Sequence, residues 1–312
     1  MDNLEEGPGY TPALSSAEIT ALDVLDHAEV EWPRVHRTAF LIHQHFRYDY
    51  PGPIEDLNHR LVIIPPERHL DQRRVVHRLD VSAPEAEVVT NRDSFGNTVL
   101  SVHVPTVEHR IDFEAWIVVE RRSDGLAMPD TSEFDRRWTE PSIRTKPDDA
   151  LRTIARDLQA HGEEGIGLAR RINHWVFERM QYAHEITDIH TSAAEALSLG
   201  RGVCQDYAHI MIALCRLCGI PARYVSGHLL GEGGTHAWME VLLPVGEGGR
   251  MRVWPFDPTH GREPGLTYVT VAIGRDYSDV APTSGTFRAS FRGELTARKR
   301  VGLTAVEYAS GE

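Results

Sequence analysis

The spacing of apolar residues changes once along these 312 residues, near residue 150. Before that point, between His36 and Arg122, short alternating runs recur: HRTAFLIHQHF, RLVIIP, RRVVHRLDVS, AEVVTN, NTVLSVHVP and HRIDFEAWIVVE. They are rich in β-branched residues and are separated by turn signals such as Pro51-Gly52-Pro53, Pro65-Pro66, Pro84 and Phe95-Gly96-Asn97. Period-two alternation with such punctuation predicts strands. Several strands with no helical pattern between them predict an antiparallel sandwich or a small barrel-like domain.

Beyond residue 150, Ala150, Leu151, Ile154 and Leu158, then Ile166, Leu168, Ile172 and Val176, fall at helical spacing and predict two helices. A third helix opens at Gly202-Val203-Cys204, runs through Tyr207, Ile210, Met211, Leu214 and Leu217, and is stopped by Gly219-Ile220-Pro221. Being apolar nearly all round, it belongs in a core. Three β-type runs follow, ARYVSGHLL, THAWMEVLLP and MRVWPFDPTH, with Gly-rich turns at 231–234 and 246–249. A buried helix followed by an antiparallel sheet makes the whole an α+β chain. The divisions read from this pattern are a flexible arm over 1–35, a β-rich domain over 36–122, a proline-punctuated linker over 123–149, and a second domain over 150–312.

Composition narrows the class. Hydrophobic residues at 41% and charged residues at 25% are near globular averages and argue against disorder. With 33 basic and 46 acidic residues the net charge is −13, which repels phosphate backbones and anionic lipid, so neither nucleic acid nor membrane is an expected partner. No basic segment followed by an apolar stretch marks the N-terminus, and no run of 18 apolar residues occurs. The three cysteines, Cys204, Cys215 and Cys218, are clustered and odd in number, which fits reduced thiols and a cytoplasmic location.

Cys204 has the position a nucleophile requires. A helix N-terminus favours thiolate through its unpaired N–H groups, and the Cys204 N–H itself can meet a developing oxyanion. A base and an orienting group must reach the sulfur. His236 at the start of one predicted strand and Asp257 at the end of the next are brought together if the chain turns at 246–249. Cys215-Arg216-Leu217-Cys218 lies in the final turns of its helix, where a redox pair does not operate, and the three cysteines supply too few paired ligands for zinc. No calcium loop of the D-x-[DN]-x-[DN]-G type is present, and no motif requires a metal or cofactor.

Three blocks, GVCQDYAHIMIALCRLCGIPARYVSGH, GGTHAWMEVLLP and WPFDPTHG, resemble the transglutaminase-like superfamily of papain-like cysteine enzymes in order and spacing. The β-rich region, with HRTAFLIH and Asp93-Ser94-Phe95-Gly96-Asn97, resembles the N-terminal domain of bacterial members. The resemblance implies a papain-like second half with Cys204 as nucleophile, His236 as general base and acid, and Asp257 orienting His236. It implies acyl transfer on amide bonds through a thioester, with a peptide or protein as amide donor. Hydrolysis by a peptidase or amidase is the expected outcome; the alternatives are transfer to an amine acceptor and a non-catalytic peptide-binding module. Asp206 matches an acidic position of the motif, where capping or support is the expected role. Trp238 shares a strand face with His236 and either shields the pair from water or belongs to the core. The glutamine that papain uses for its oxyanion has no counterpart, since Ser198 and Leu199 stand near that spacing; Tyr182 and His190 are the candidates for a second donor.

Overall fold

The computed structural model describes residues 18–19, 21–123, 135–245 and 251–309. The alternating runs of the first half become seven strands: β1 (Val35–Asp49), β2 (Ile54–Ile64), β3 (Arg68–His69), β4 (Gln72–Val81), β5 (Glu87–Arg92), β6 (Thr98–Val107) and β7 (Arg110–Arg122). They divide between two antiparallel sheets, one with β1, β7, β4 and β3, the other with β2, β6 and β5. Alternation explains the core. Phe40, Ile42 and Phe46 of β1 and Phe113, Ile117 and Val119 of β7 meet Leu57, Leu61, Val102 and Val104 of the other sheet in one buried cluster.

The second half opens with α1 (Asp149–Gln159), capped by the Asp148 carboxylate on the Leu151 N–H, and α2 (Gly165–Arg179). A short strand β8 (Gln181–Tyr182), α3 (Ala193–Leu199) and β9 (Arg201–Gly202) lead into α4 (Cys204–Leu217). Twelve of the fourteen residues of α4 are buried, because it lies between α1, α2 and α3 and a four-stranded sheet. That sheet contains β10 (Ala222–Leu229), β11 (His236–Pro244), β12 (Met251–Phe256) and a strand not anticipated from the sequence, β13 (Tyr268–Gly274), in the order β12-β11-β10-β13. The segment expected to turn between β11 and β12, residues 246–249, lies outside the described residues.

After the one-turn α5 (Tyr277–Val280) come β14 (Thr283–Arg288) and β15 (Glu294–Tyr308), and these correct the domain boundary. Residues 283–308 do not extend the second domain: β14 pairs with β2 and β15 with β1, along the edges of the two N-terminal sheets. Period-two alternation defines a strand but carries no information about its partner. Two other boundaries change. The described part of the arm packs, with Ile19 buried against Leu41 and Val118 and with Leu25 bridged to Leu303. The described part of the linker is fastened too. Trp138 is buried against Leu242 and Val253 of the four-stranded sheet, and the buried Arg216 guanidinium of α4 donates to the Trp138 carbonyl and to Thr145 Oγ1. No helix among the described residues is long and apolar enough to cross a membrane.

The two halves meet at the outer edge of β13. Gln72 donates to the Thr270 carbonyl at 2.7 Å and accepts from the Thr270 N–H at 2.8 Å. Asn97 does the same with the Ile273 carbonyl and N–H, at 2.7 and 2.8 Å. Two side-chain amides thus occupy the place of a neighbouring strand. Replacing either by Ala leaves a buried N–H and C=O unpartnered, so Gln72→Ala and Asn97→Ala should each cost about 1–3 kcal/mol. Urea unfolding at constant m-value checks this.

Candidate active site

Cys204 is the first residue of α4, after Val203 in extended conformation as N-cap. Its side chain is partly exposed, whereas Cys215 is fully buried, with a thiol pushed far up by burial, and Cys218 is pushed up to about 11 by the same cause. The first-turn N–H groups at Cys204 have no acceptor within the helix. Asp206 closes this helix end. Its Oδ2 accepts from the Val203 N–H at 2.8 Å and from the Thr187 hydroxyl at 2.6 Å. The carboxylate can fold back only because residue 202 is glycine: a Cβ there would lie 2.9 Å from Asp206 Cβ, closer than real contacts allow.

His236 begins β11 and Asp257 follows the end of β12. Pairing of Met239 with Phe256 sets these strand ends side by side. His236 Nε2 donates to Asp257 Oδ2 at 2.8 Å, and the same imidazole shares a hydrogen bond with Cys204. Burial alone would lower its pKa, but Asp257 and Cys204 outweigh burial and raise it to about 10. Asp257 is itself wholly buried. Its Oδ2 also accepts from the Tyr268 hydroxyl at 2.6 Å and His260 Nδ1 at 2.7 Å, and its Oδ1 from the N–H groups of Thr259 and His260, at 2.9 and 3.4 Å. Burial would raise this carboxyl; the donors, His236 first, hold it well below the usual carboxylate range.

Of the residues singled out in the sequence, Cys204, His236 and Asp257 come together, with Asp206 beneath the helix start. Trp238 is buried, its ring 6.1 Å from that of His236 and 5.4 Å from that of Tyr268. Gly227, opposite His236 on β10, makes room for it, since a Cβ there would stand 2.9 Å from the indole Cζ3. Tyr182 reaches the site from β8, half-exposed, its hydroxyl raised to about 12 by burial first, with its neighbours Cys204 and Glu232 adding to the shift. His190 does not reach it. It is exposed, with its ring and carbonyl held by Arg144.

Three participants were missed. His260, raised to about 9 by its bonds to Asp257 and Glu232, follows Asp257 by three residues, and the Asp-Pro-Thr-His turn, closed by the aspartate on its own backbone, was the signal available. Glu232 Oε2 stands 3.3 Å from His236 Nδ1 and its Oε1 3.3 Å from His260 Nε2. Tyr268 belongs to the unanticipated strand β13, so no local pattern pointed to it. The ligand atoms of His236, Asp257 and His260 lie within 4.8 Å of one another, a spacing that could hold a metal ion. Here it is the geometry of two imidazole N–H groups on one carboxylate oxygen, and a metal would have to replace both protons.

These shifts have a definite sign. A raised imidazole contributes stability in full below its unfolded value of about 6.5 and loses it as pH rises through the folded value. A depressed carboxyl contributes in full above its unfolded value of about 4 and loses it in stronger acid. Asp257→Asn should therefore destabilise most between roughly pH 4 and 6.5, and the difference from wild type should narrow towards pH 10. Thermal unfolding of both proteins across this range checks the expectation.

Two family profiles match the sequence: the transglutaminase-like superfamily over residues 152–258, and the bacterial transglutaminase-like N-terminal region over residues 40–120. An uncharacterized protein of Mycobacterium leprae is 30% identical over 225 residues, covering 68% of this chain and 72% of its own length. One of Mycobacterium tuberculosis is 29% identical over 253 residues, covering 71% and 79%. Among solved structures, one described as a candidate cysteine protease from Cytophaga hutchinsonii superposes with a TM-score of 0.70 at 22% identity, covering 88% of this chain and 94% of that one. The fold is shared at that distance. The chain belongs to the transglutaminase-like superfamily, with the N-terminal β region of its bacterial members.

Proposed function

We propose that this protein is a cysteine-dependent hydrolase of amide bonds in peptides or proteins, with Cys204 as nucleophile, His236 as general base and acid, and Asp257 orienting and charging His236. The observation that carries the reading is the imidazole of His236 held between the Cys204 sulfur and a fully saturated, buried Asp257. A thiol needs neither a base nor a buried counter-charge to fill space; it needs both to attack a carbonyl.

The reaction then runs as acyl transfer. The Cys204 thiolate attacks the amide carbon, and the charge that develops on the oxygen meets the first-turn N–H of Cys204, with the Tyr182 hydroxyl as second donor. The C–N bond breaks as His236 delivers its proton to the departing nitrogen, leaving a thioester. Water attacks the thioester, His236 takes its proton, and the C–S bond breaks to restore the thiolate. The sulfur is partly exposed and Tyr182 half-exposed, so bulk water has access and is the favoured acceptor over an amine.

Iodoacetamide labelling followed by peptide mass spectrometry tests the pair. At mildly acidic pH Cys204 should label fast, and His236→Ala should slow its labelling about tenfold or more; a Cys204 rate unchanged by His236→Ala would sink the reading. Peptide mixtures incubated with a labelled amine test the acceptor, and label recovered in amide linkage without cleavage would replace hydrolysis by transfer. Cys204→Ala should abolish turnover, His236→Ala should lower it about 10²–10⁴-fold, and Tyr182→Phe should lower kcat about tenfold or more with little change in KM.

A further inference from the structure

A cavity beside the site opens where the Glu232 turn meets the N-terminal sheet. Its volume is about 690 Å³, within the range of small-ligand pockets. Apolar walls come from Leu230, Val301 and Leu303, and Glu232 forms the end that touches His236 and His260. Lys299 and Arg300 line the cavity from β15, and Glu232 is its sole acidic lining residue among the described residues.

Lys299 is the unusual member. It stands on the core-facing side of β15, opposite Gln44, with its ammonium 5.3 Å from the centre of the buried Phe46 ring. Burial lowers its pKa to about 8, and no carboxylate among the described residues offsets this. A half-buried cation without a counter-ion among the described residues, in a chain of net charge −13, is a position held open for an anion from elsewhere. The direction of approach follows from the chemistry. The departing nitrogen must lie at the imidazole that protonates it, so a cavity beginning at Glu232, in contact with that imidazole, receives the part of the substrate beyond the scissile bond.

We propose that this cavity is the subsite for the leaving-group side of a peptide substrate that carries a carboxylate, with Lys299 as its recognising charge. The inference rests on the acyl-transfer reading of Cys204 and His236 for its orientation, but the carboxylate selectivity is measurable without any chemistry. The carboxylate comes either from a free C-terminus or from an acidic side chain.

The test is calorimetric titration of Cys204→Ala protein with three probes: alanyl-alanine as free acid, its C-terminal amide, and amidated alanyl-glutamate. The free acid should bind about tenfold tighter than the amide, the value of one charge-assisted contact. Lys299→Met should erase that difference and Lys299→Arg should keep most of it, which separates lost charge from lost folding. If amidated alanyl-glutamate binds as well as the free acid, the cavity reads side chains as well as C-termini. Equal binding of acid and amide, no binding at millimolar concentrations, or a preference that survives Lys299→Met would overturn the proposal. Failure of the acyl-transfer reading would appear separately, as absent turnover in protein that still discriminates acid from amide.

Discussion

A carboxylate with no access to water is tolerated only when its charge and lone pairs are met, and Asp257 meets that condition with five donors from separate pieces of chain. His236 comes from the start of β11, Thr259 and His260 from the turn after β12, and Tyr268 from β13. Arg262 in turn donates to the Tyr268 hydroxyl at 2.9 Å, and its backbone pairs with that of Asp257. Each donor that leaves weakens the hold on the buried charge. The requirement to satisfy one carboxylate therefore fixes the tautomer and orientation of the imidazole as well as the relation of three strand ends. The helix that carries Cys204 needs no such network, because its apolar surface alone holds it between the other helices and the sheet.

What the sequence made legible follows the same division. Cys204, His236 and Asp257, which the fold brings together, could be singled out because each stands at the end of an element whose pattern is strong: an apolar helix for Cys204, and β-branched or aromatic runs for His236 and Asp257. His260, Glu232 and Tyr268 were not, since their roles depend on how turns and a fourth strand fold over the first three residues. The strand YVTVAIG has a β pattern of its own, yet nothing local attaches its first residue to a carboxylate eleven positions earlier. In the same way, nothing local in ELTARKRVGLTAVEY shows that its partner is the first strand of the chain.

The amides of Gln72 and Asn97 show a further limit of pattern reading. Each sits beside a turn or at a strand start, where a polar residue arouses no notice, and each is buried because it replaces a missing strand at the β13 edge. A second contact between the halves, this one ion-paired, has the same character. Glu240 on β11 accepts from Arg223 at 2.7 Å within its own sheet and from His69 of the N-terminal half at 2.8 Å. Burial would raise its carboxyl, but Arg223 and His69 hold it down to about 2. Both contacts end on strands that also carry site residues, so docking of the halves and alignment of the site are one structural problem.

Return of the chain to β1 through β15 gives that problem its topology. The helices and the four-stranded sheet lie, in sequence, between strands of the first domain, and Val35 pairs with Tyr308 across nearly the whole chain. Closing the N-terminal sheet therefore requires the second half to have collapsed enough to bring its two ends together, a non-local step of the kind that slows folding. The same return sets β15 beside the Glu232 turn, so that Lys299 and Glu232 line one cavity. A strand that completed only its own sheet could have carried any alternating sequence. This one carries Lys299, whose ammonium has no acidic partner among the described residues, lies over the Phe46 ring and lines the cavity that Glu232 also lines.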